Sequence, residues 1–162
     1  MAERVRAWIG LGANLGDAQA AVRSAFAELA ALPQSRLVAQ SSLYRSAPVD
    51  ATGPDFINAA AGLDTALSAA DLLAALHAIE QRHDRMRGLR NAPRTLDLDL
   101  LLHGDAVVDT PALTLPHPRA HERAFVLQPL AEIASELVIP GRGPVVELLR
   151  GLGAQVIELL TP

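Results

Sequence analysis

An α+β sandwich is the fold that this sequence predicts, with core elements in the order β-α-β-β-α-β, which is the order of the ferredoxin-like split βαβ unit. Short apolar or alternating runs, typical of strands, are interleaved with two longer stretches whose apolar residues recur at helical spacing. We expect extra strands and C-terminal helices after this core. One domain is expected over residues 1–162, since a domain takes roughly 100–200 residues.

The first half of the chain supplies a strand, a helix and two more strands. Residues 5–11 form an apolar run that stops at the turn-forming GANLGD. Asp17 is placed to cap a helix that ends before Pro33. Residues 35–49 and 55–67 read as a second and a third strand, paired with each other across the turn DATGP.

The second half opens with another helix. Ser68, with Asp71 three residues later, forms a start similar to a capping box, and the helix is expected to end near Gly88. The apolar residues on one side of this helix are Leu72, Leu73, Leu76, Ile79 and Met86.

A fourth strand follows at RTLDLDLLL, residues 94–102, with residues 106–109 as a short partner strand. From Pro111 a proline-rich loop leads into a helix. Residues 145–152 form a last amphipathic segment, which completes the expected C-terminal helices.

Composition excludes several functional classes. The net charge of −4 gives no global attraction to nucleic acid or to an anionic membrane. The absence of cysteine rules out a disulfide framework and thiolate chemistry. No apolar run approaches the ~18 residues of a membrane span, and the N-terminus lacks a signal-peptide pattern, so a cytoplasmic protein is expected. We expect a monomer, because no strongly apolar surface segment is left over.

Two acids interrupt the fourth predicted strand. Side chains alternate along a strand, so Asp97 and Asp99 share one face, with Cα atoms ~7 Å apart. Their carboxylates would repel by about 2 kcal/mol at an effective dielectric constant of ~20, which calls for nearby positive charge. Mg²⁺ with substrate phosphates meets this need, but the two residues alone favour a solvated face paired with Arg94 or another arginine.

An arginine cluster precedes these acids and favours phosphate binding. Guanidinium groups hold phosphate oxygens in a bidentate fork and stay charged. Arg82 reads best as solvated, whereas Arg94 lies in the loop directly before the acids. The cluster comprises Arg82, Arg85, Arg87, Arg90 and Arg94.

Two further segments carry polar groups suited to a site. His117 stands between two prolines that stiffen the backbone and leave the imidazole exposed, where with Arg123 it could contact a phosphate or simply be solvated. Phe56 and Asn58 share a strand face as an aromatic surface beside an amide, or as an ordinary core Phe and edge Asn. GLGANLGD lacks the lysine of a P-loop and misses the dinucleotide-binding spacing.

Taken together, the motifs resemble one family in order and spacing over nearly the whole chain. PRTLDLD, followed about twenty residues later by PHPR, is highly specific, and the blocks GANLGD, SSLYRSAPV, GPDFINAA and VIPG are collinear with it. The sequence resembles 6-hydroxymethyl-7,8-dihydropterin pyrophosphokinase of the folate pathway. It departs from many members at Asn91, where they carry a tryptophan just before the Pro-Arg pair.

The resemblance implies a ferredoxin-like fold and transfer of the β,γ-diphosphoryl group of ATP to the hydroxymethyl group of the pterin, releasing AMP. It implies that Asp97 and Asp99 bind two Mg²⁺ ions and act with Arg85 and Arg94 in catalysis. The residues implied for ATP are Glu80, Arg85, Arg87, Arg94, Leu100, Thr114, His117 and Arg123. Those implied for the pterin are Asn14, Ser46, Val49, Phe56, Asn58 and Phe125.

Two other functions fit the residues without the resemblance. A non-catalytic ferredoxin-like module that binds a small ligand would use the acids only as solvated ion pairs. A metal-dependent phosphohydrolase would release phosphate without needing a pterin.

Overall fold

The computed structural model describes residues 3–14, 17–47, 55–87, 96–153, 155 and 157–160, with the backbone alone over 84–87. None of the helices in these ranges is both long enough and apolar enough to cross a membrane. In chain order the elements are β1 Val5–Ala13, α1 Ala18–Ala30, β2 Ser35–Gln40, β3 Tyr44–Ser46, β4 Phe56–Thr65, α2 Ala69–Arg87, β5 Asp97–His103, β6 Val108–Asp109, β7 Thr114–Leu115, a 3₁₀ turn Ala120–Glu122, α3 Ala124–Ile133, β8 Val138–Ile139, β9 Gly143–Pro144, α4 Val145–Gly151 and β10 Ile157–Leu159.

The main sheet is antiparallel and has the order β10-β3-β4-β1-β5, with β2 beside β3 along the same edge of β4. β1 lies between β4 and β5, as the split βαβ arrangement requires. The predicted ferredoxin-like fold is therefore confirmed. β5 is the last strand on one side of the sheet. Its outer edge therefore faces other segments of the chain and not another strand of this sheet.

Helices cover both faces of this sheet and enclose two apolar clusters. On one face, α1 and α2 pack against alternate residues of the central strands, with Phe26, Leu76 and Leu98 among the buried side chains. On the other face, α3 and α4 cover Trp8 and Leu101. Leu98 and Leu100 of β5 face the α1 and α2 layer, and Asp97 and Asp99 consequently point to the opposite side of the sheet.

Local capping signals were predictive. The Asp17 carboxylate accepts the Ala20 N–H at 3.0 Å, and the Ser68 hydroxyl accepts the Asp71 N–H at 3.1 Å, so both predicted helix starts are confirmed. These bonds join residues three apart, a separation that a sequence pattern records directly.

Non-local pairing corrects the strand boundaries. The second predicted strand is two strands, because the Ser41 hydroxyl accepts the Ala60 N–H at 2.8 Å and replaces a backbone acceptor there. β1 runs to Ala13 rather than stopping at Leu11, since its last residues pair with β4. The predicted partner strand exists as β6 but pairs with β7 instead of the fourth predicted strand, and β10 was not predicted.

Gly62 lies opposite Trp8, and its missing side chain makes room for the indole ring. A Cβ at this position would lie 2.7 Å from Trp8 Cζ3, and the ring is only 7% exposed. We expect Gly62→Ala to lower the free energy of unfolding by about 1–3 kcal/mol through overpacking. Urea denaturation measures it, with Gly151→Ala as control because nothing lies within 4 Å of a Cβ there. Equal stability of the two variants contradicts the packing argument.

Glu28 ties α1 to α2 through the side chains of His83 and Arg82. Its carboxylate lies 2.6 Å from His83 Nε2 and 3.0 Å from Arg82 Nη2. Burial alone raises the pKa of Glu28, but the hydrogen bonds from His83 and Arg82 outweigh it and hold this pKa below its usual 4.5. Arg82 is thus exposed, as predicted, and it pairs away from the acids of β5.

A carboxylate whose pKa falls on folding adds stability above its unfolded pKa and loses it as the pH drops through the folded value. Glu28→Gln is therefore expected to lower the free energy of unfolding at pH 7 by about 1 kcal/mol, a figure that allows for solvent screening. It should also flatten the loss of stability below pH 4.5. Urea denaturation across this pH range tests both effects, and Glu136→Gln, at an exposed position, is the control. An unchanged slope in Glu28→Gln contradicts the assignment.

Candidate active site

Two carboxylates lie on the α3 side of β5, next to two glycines of β1 that place no side chain on that face. Asp97 pairs opposite Gly12 and Asp99 opposite Gly10, while Leu98 between them is 3% exposed in the α1 and α2 core. A Cβ on either glycine makes only ordinary contacts, at 3.5 Å and beyond. Longer side chains there would project over the carboxylates, so the two glycines keep this region open.

A cavity of about 320 Å³ runs along β5 and is called the edge cavity. Leu73, His77 and Glu80 face it from successive turns of α2, at the i, i+4 and i+7 spacing of one helix face. The segment that contains β7 forms the opposite wall. Its full lining comprises Leu73, His77, Glu80, Asp97, Leu98, Asp99, Leu100, Pro111, Ala112, Leu113, Thr114, His117 and Pro118.

Glu80 contributes to this cavity from a buried position. Its side chain is 5% exposed, and a carboxylate oxygen accepts the Leu98 N–H at 2.8 Å. That bond ties α2 to β5 next to the two acids. Because a buried carboxylate with fixed partners is held in one orientation, little side-chain entropy is lost when a ligand binds beside Glu80.

His117 is half-buried rather than exposed, which corrects the expectation drawn from its flanking prolines. The backbone N–H of His117 donates to the Leu101 carbonyl at 2.9 Å, and the ring Nδ1 accepts the backbone N–H of Arg119 at 3.2 Å. Burial lowers the pKa of His117 below its usual 6.5, the nearby Asp99 opposes this, and Arg123 and Arg119 lower it further. At pH 7 the ring is therefore neutral with its proton on Nε2, ready to donate one hydrogen bond.

A larger cavity of about 750 Å³ lies over the α3 side of the sheet and is called the central cavity. Asn58, only 3% exposed, holds its amide in place by donating to the Ser46 hydroxyl at 2.7 Å. Phe56 lies two residues before Asn58 on the same face, as predicted. Its full lining comprises Gly10, Leu11, Gly12, Ser46, Ala47, Phe56, Asn58, Ala59, Asp97, Asp99, Arg119, Glu122, Arg123, Ala124, Phe125, Val126 and Gln155.

The start of α3 supplies the other wall of the central cavity. The Arg123 guanidinium carbon lies 5.4 Å from the centre of the Phe125 ring, within the range of a cation–π contact. Phe125 faces the cavity as the resemblance implies. Arg123, grouped by the resemblance with the ATP residues, lines this cavity and not the edge cavity.

Asp97 and Asp99 line both cavities. The edge cavity brings together four of the residues implied for ATP, and the central cavity brings together four of those implied for the pterin. The edge group is Glu80, Leu100, Thr114 and His117. The central group is Ser46, Phe56, Asn58 and Phe125. The two acids therefore stand at the junction of two pockets with different linings.

The structure gives less information on the other site residues that the resemblance implies. Asn14 follows directly after β1 and is not among the lining residues of either cavity. Arg85 and Arg87 lie in the last turn of α2, where the backbone alone is described. Val49 and Arg94, together with Asn91, fall outside the described residues.

The structure adds residues that the sequence argument did not single out. Arg119 belongs to the PHPR motif, so a signal for it was present, but only its histidine was assigned. His77 stands at helical spacing from Glu80, a second signal that was available. Gln155 lies beyond every motif, and its place on the central cavity had no sequence signal.

Comparison with known proteins matches this sequence to one family. The sequence model of 7,8-dihydro-6-hydroxymethylpterin-pyrophosphokinase matches residues 8–135, which is more than half of the chain. The chain belongs to this family. The pyrophosphokinase family consists of ATP-dependent diphosphotransferases that transfer a pyrophosphoryl group from ATP to hydroxymethyldihydropterin in folate synthesis.

Curated relatives carry the same description along nearly their whole length. The chain is 45% identical over 156 residues to the 2-amino-4-hydroxy-6-hydroxymethyldihydropteridine pyrophosphokinase of Pseudomonas aeruginosa, covering 96% of each chain. It is 38% identical over 159 residues to that of Haemophilus influenzae, covering 98% of this chain and 99% of the relative.

Solved structures agree at the level of the fold. The Plasmodium falciparum HPPK-DHPS structure with pteroate has a TM-score of 0.70 at 12% identity and is matched over 91% of this chain. The chain spans 42% of that longer protein. At this identity the likeness shows the pyrophosphokinase fold and nothing finer.

Proposed function

We propose that this chain transfers the β,γ-diphosphoryl group of ATP to the hydroxymethyl oxygen of 6-hydroxymethyl-7,8-dihydropterin, with ATP in the edge cavity and the pterin in the central cavity. The observation that carries this proposal is the position of Asp97 and Asp99, which line both cavities. A diphosphoryl group bound between them lies within reach of both substrates, which is what an in-line transfer requires.

The carboxylates fit Mg²⁺ and not a metal held by protein ligands alone. No group of three or more potential metal-ligating side chains lies together in the described part of the chain. Two carboxylates open to a cavity suit Mg²⁺, which keeps waters and substrate phosphates in its octahedral shell. Asp97 and Asp99 would hold two Mg²⁺ ions, which when bound neutralise phosphate charge and favour attack at phosphorus.

On the ATP side, this chain supplies orientation and charge. The neutral His117 donates its Nε2 proton to a phosphate oxygen and adds no charge of its own. Arg85, Arg87 and Arg94 are assigned to the triphosphate through the family motif, and Arg123 is assigned to the transferred group because it lines the central cavity. Glu80, Leu100 and Thr114 bound the nucleoside end.

On the pterin side, the ring lies between Phe56 and Phe125, and Asn58 reads its hydrogen-bonding edge. Asn58 is held by Ser46, so its orientation is set before the pterin binds. In the transfer, a bond forms from the hydroxymethyl oxygen to the β-phosphorus, and the bond from that phosphorus to the α-phosphate oxygen breaks. The hydroxyl proton is released to water, and AMP leaves with the α–β bridging oxygen, without a covalent protein intermediate.

The test is product identity. The protein is incubated with ATP, Mg²⁺ and 6-hydroxymethyl-7,8-dihydropterin, and nucleotides are separated by chromatography. AMP formed in proportion to pterin diphosphate supports the proposal. ADP formed together with a phosphorylated pterin indicates a kinase instead. Phosphate released without pterin indicates a phosphohydrolase. Metal-dependent binding without any product indicates a ligand-binding module.

A further inference from the structure

Gln155 holds the backbone on both sides of Arg123. Its side-chain oxygen accepts the Ala124 N–H at 2.9 Å, and its side-chain nitrogen donates to the Glu122 carbonyl at 2.9 Å. These bonds span more than thirty positions in the sequence. A single amide group with both bonds made fixes the path of the three residues from Glu122 to Ala124.

This contact replaces a missing local cap. Arg123 is the N-cap residue of α3 and makes no side-chain capping bond, so the first N–H of the helix depends on a distant partner. Gln155 supplies that partner. Gln155 thus sets the direction in which α3 leaves the 3₁₀ turn. It also sets where this wall of the central cavity begins.

The residues held in this way face the central cavity. Arg123 and Phe125 stack at 5.4 Å on its wall, and Gln155 lines the same cavity. Two residues further on, β10 pairs with β3, so that Ile157 lies opposite Ser46, the hydroxyl that holds Asn58. The end of the chain therefore contacts both the α3 wall and the sheet wall of this cavity.

The family model ends at residue 135, so the family motifs assign no role to this part of the chain. We infer that Gln155 is a positioning residue for the pterin: its two hydrogen bonds fix Arg123 and Phe125 where they contact the ring and the transferred diphosphoryl group. This inference rests on the proposed function, because the pterin is the ligand it assigns to the central cavity.

The test replaces Gln155 with methionine, which keeps the length of the side chain and removes both hydrogen bonds. Gln155→Met is expected to raise KM for 6-hydroxymethyl-7,8-dihydropterin about five- to tenfold, the effect of losing fixed polar contacts near a ligand. KM for ATP should rise less than KM for the pterin, because Arg123 is only one of several groups proposed to contact ATP, and Tm should stay close to that of the unsubstituted protein. Gln155→Ala should show the same change, since the hydrogen bonds and not the packing carry the effect.

Gln40→Met is the matched control, because Gln40 is exposed on β2 away from both cavities. A pterin KM unchanged in Gln155→Met overturns the inference, as does a rise in both KM values together with a fall in Tm, which would mark a purely structural role. The unsubstituted protein is assayed first, and if it forms no AMP, the proposed function has failed. If it forms AMP but Gln155→Met has the same KM for the pterin, the positioning role alone is wrong.

Discussion

Asp97→Asn and Asp99→Asn are each expected to lower kcat by about 10³-fold or more, because each removes a charge that stabilises the metal-bound phosphates in the transition state. Asparagine keeps the shape of the side chain, and both positions are at least partly open to a cavity. The free energy of unfolding should therefore change by less than about 1 kcal/mol. Steady-state assays of AMP formation, paired with urea denaturation, measure the two effects separately.

A matched control is present just past the same strand. Asp105 is exposed in the turn that follows β5 and lines neither cavity, so Asp105→Asn should keep full activity. Titration with Mg²⁺ in the presence of a non-hydrolysable ATP analogue should show weakened metal binding for the two strand variants alone. Full activity in either of them removes the proposed metal site.

Phe56→Leu and Phe125→Leu are expected to raise KM for the pterin about tenfold each, since stacking of an aromatic ring on a heterocycle is worth roughly 1–3 kcal/mol. Both rings are half-buried and line the central cavity and not the edge cavity, so KM for ATP should hardly change. Phe125→Leu also removes the stacking partner of Arg123 and should affect kcat more. Initial rates with each substrate varied in turn measure these constants.

The third phenylalanine of the chain provides the control for these substitutions. Phe26 is 4% exposed in the core between the sheet and the α1–α2 layer, away from both cavities. Phe26→Leu should lower the free energy of unfolding by about 1 kcal/mol and leave both KM values unchanged. A similar rise of pterin KM in Phe26→Leu would mean that general loosening, and not stacking, explains the cavity variants.

Features encoded by neighbouring residues could be predicted from the sequence. The caps at Asp17 and Ser68 act over three residues, and the shared face of Asp97 and Asp99 follows from the two-residue period of a strand. The order of helices and strands depends on the same short periods, which is why the ferredoxin-like core was correctly predicted. Among the residues gathered on the two cavities, Phe56, Asn58 and His117 were singled out from their local strand or loop pattern, whereas the others were suggested by family resemblance alone.

Features that depend on distant contacts could not be predicted. The division of β2 from β3 depends on the Ser41 hydroxyl meeting β4, and β10 exists because β3 offers it an edge. His117 was expected to be exposed because its prolines describe only the local backbone, whereas its burial comes from the elements packed around it. Gln155 reaches across more than thirty positions, a separation that no local pattern records.

The most direct test of this account is a crystal structure with Mg²⁺, a non-hydrolysable ATP analogue and 6-hydroxymethyl-7,8-dihydropterin bound together. We expect the nucleotide in the edge cavity, the pterin between Phe56 and Phe125, and metal ions on Asp97 and Asp99 next to the phosphates. Both ligands in one cavity, or phosphates bound without metal at these two carboxylates, would contradict it.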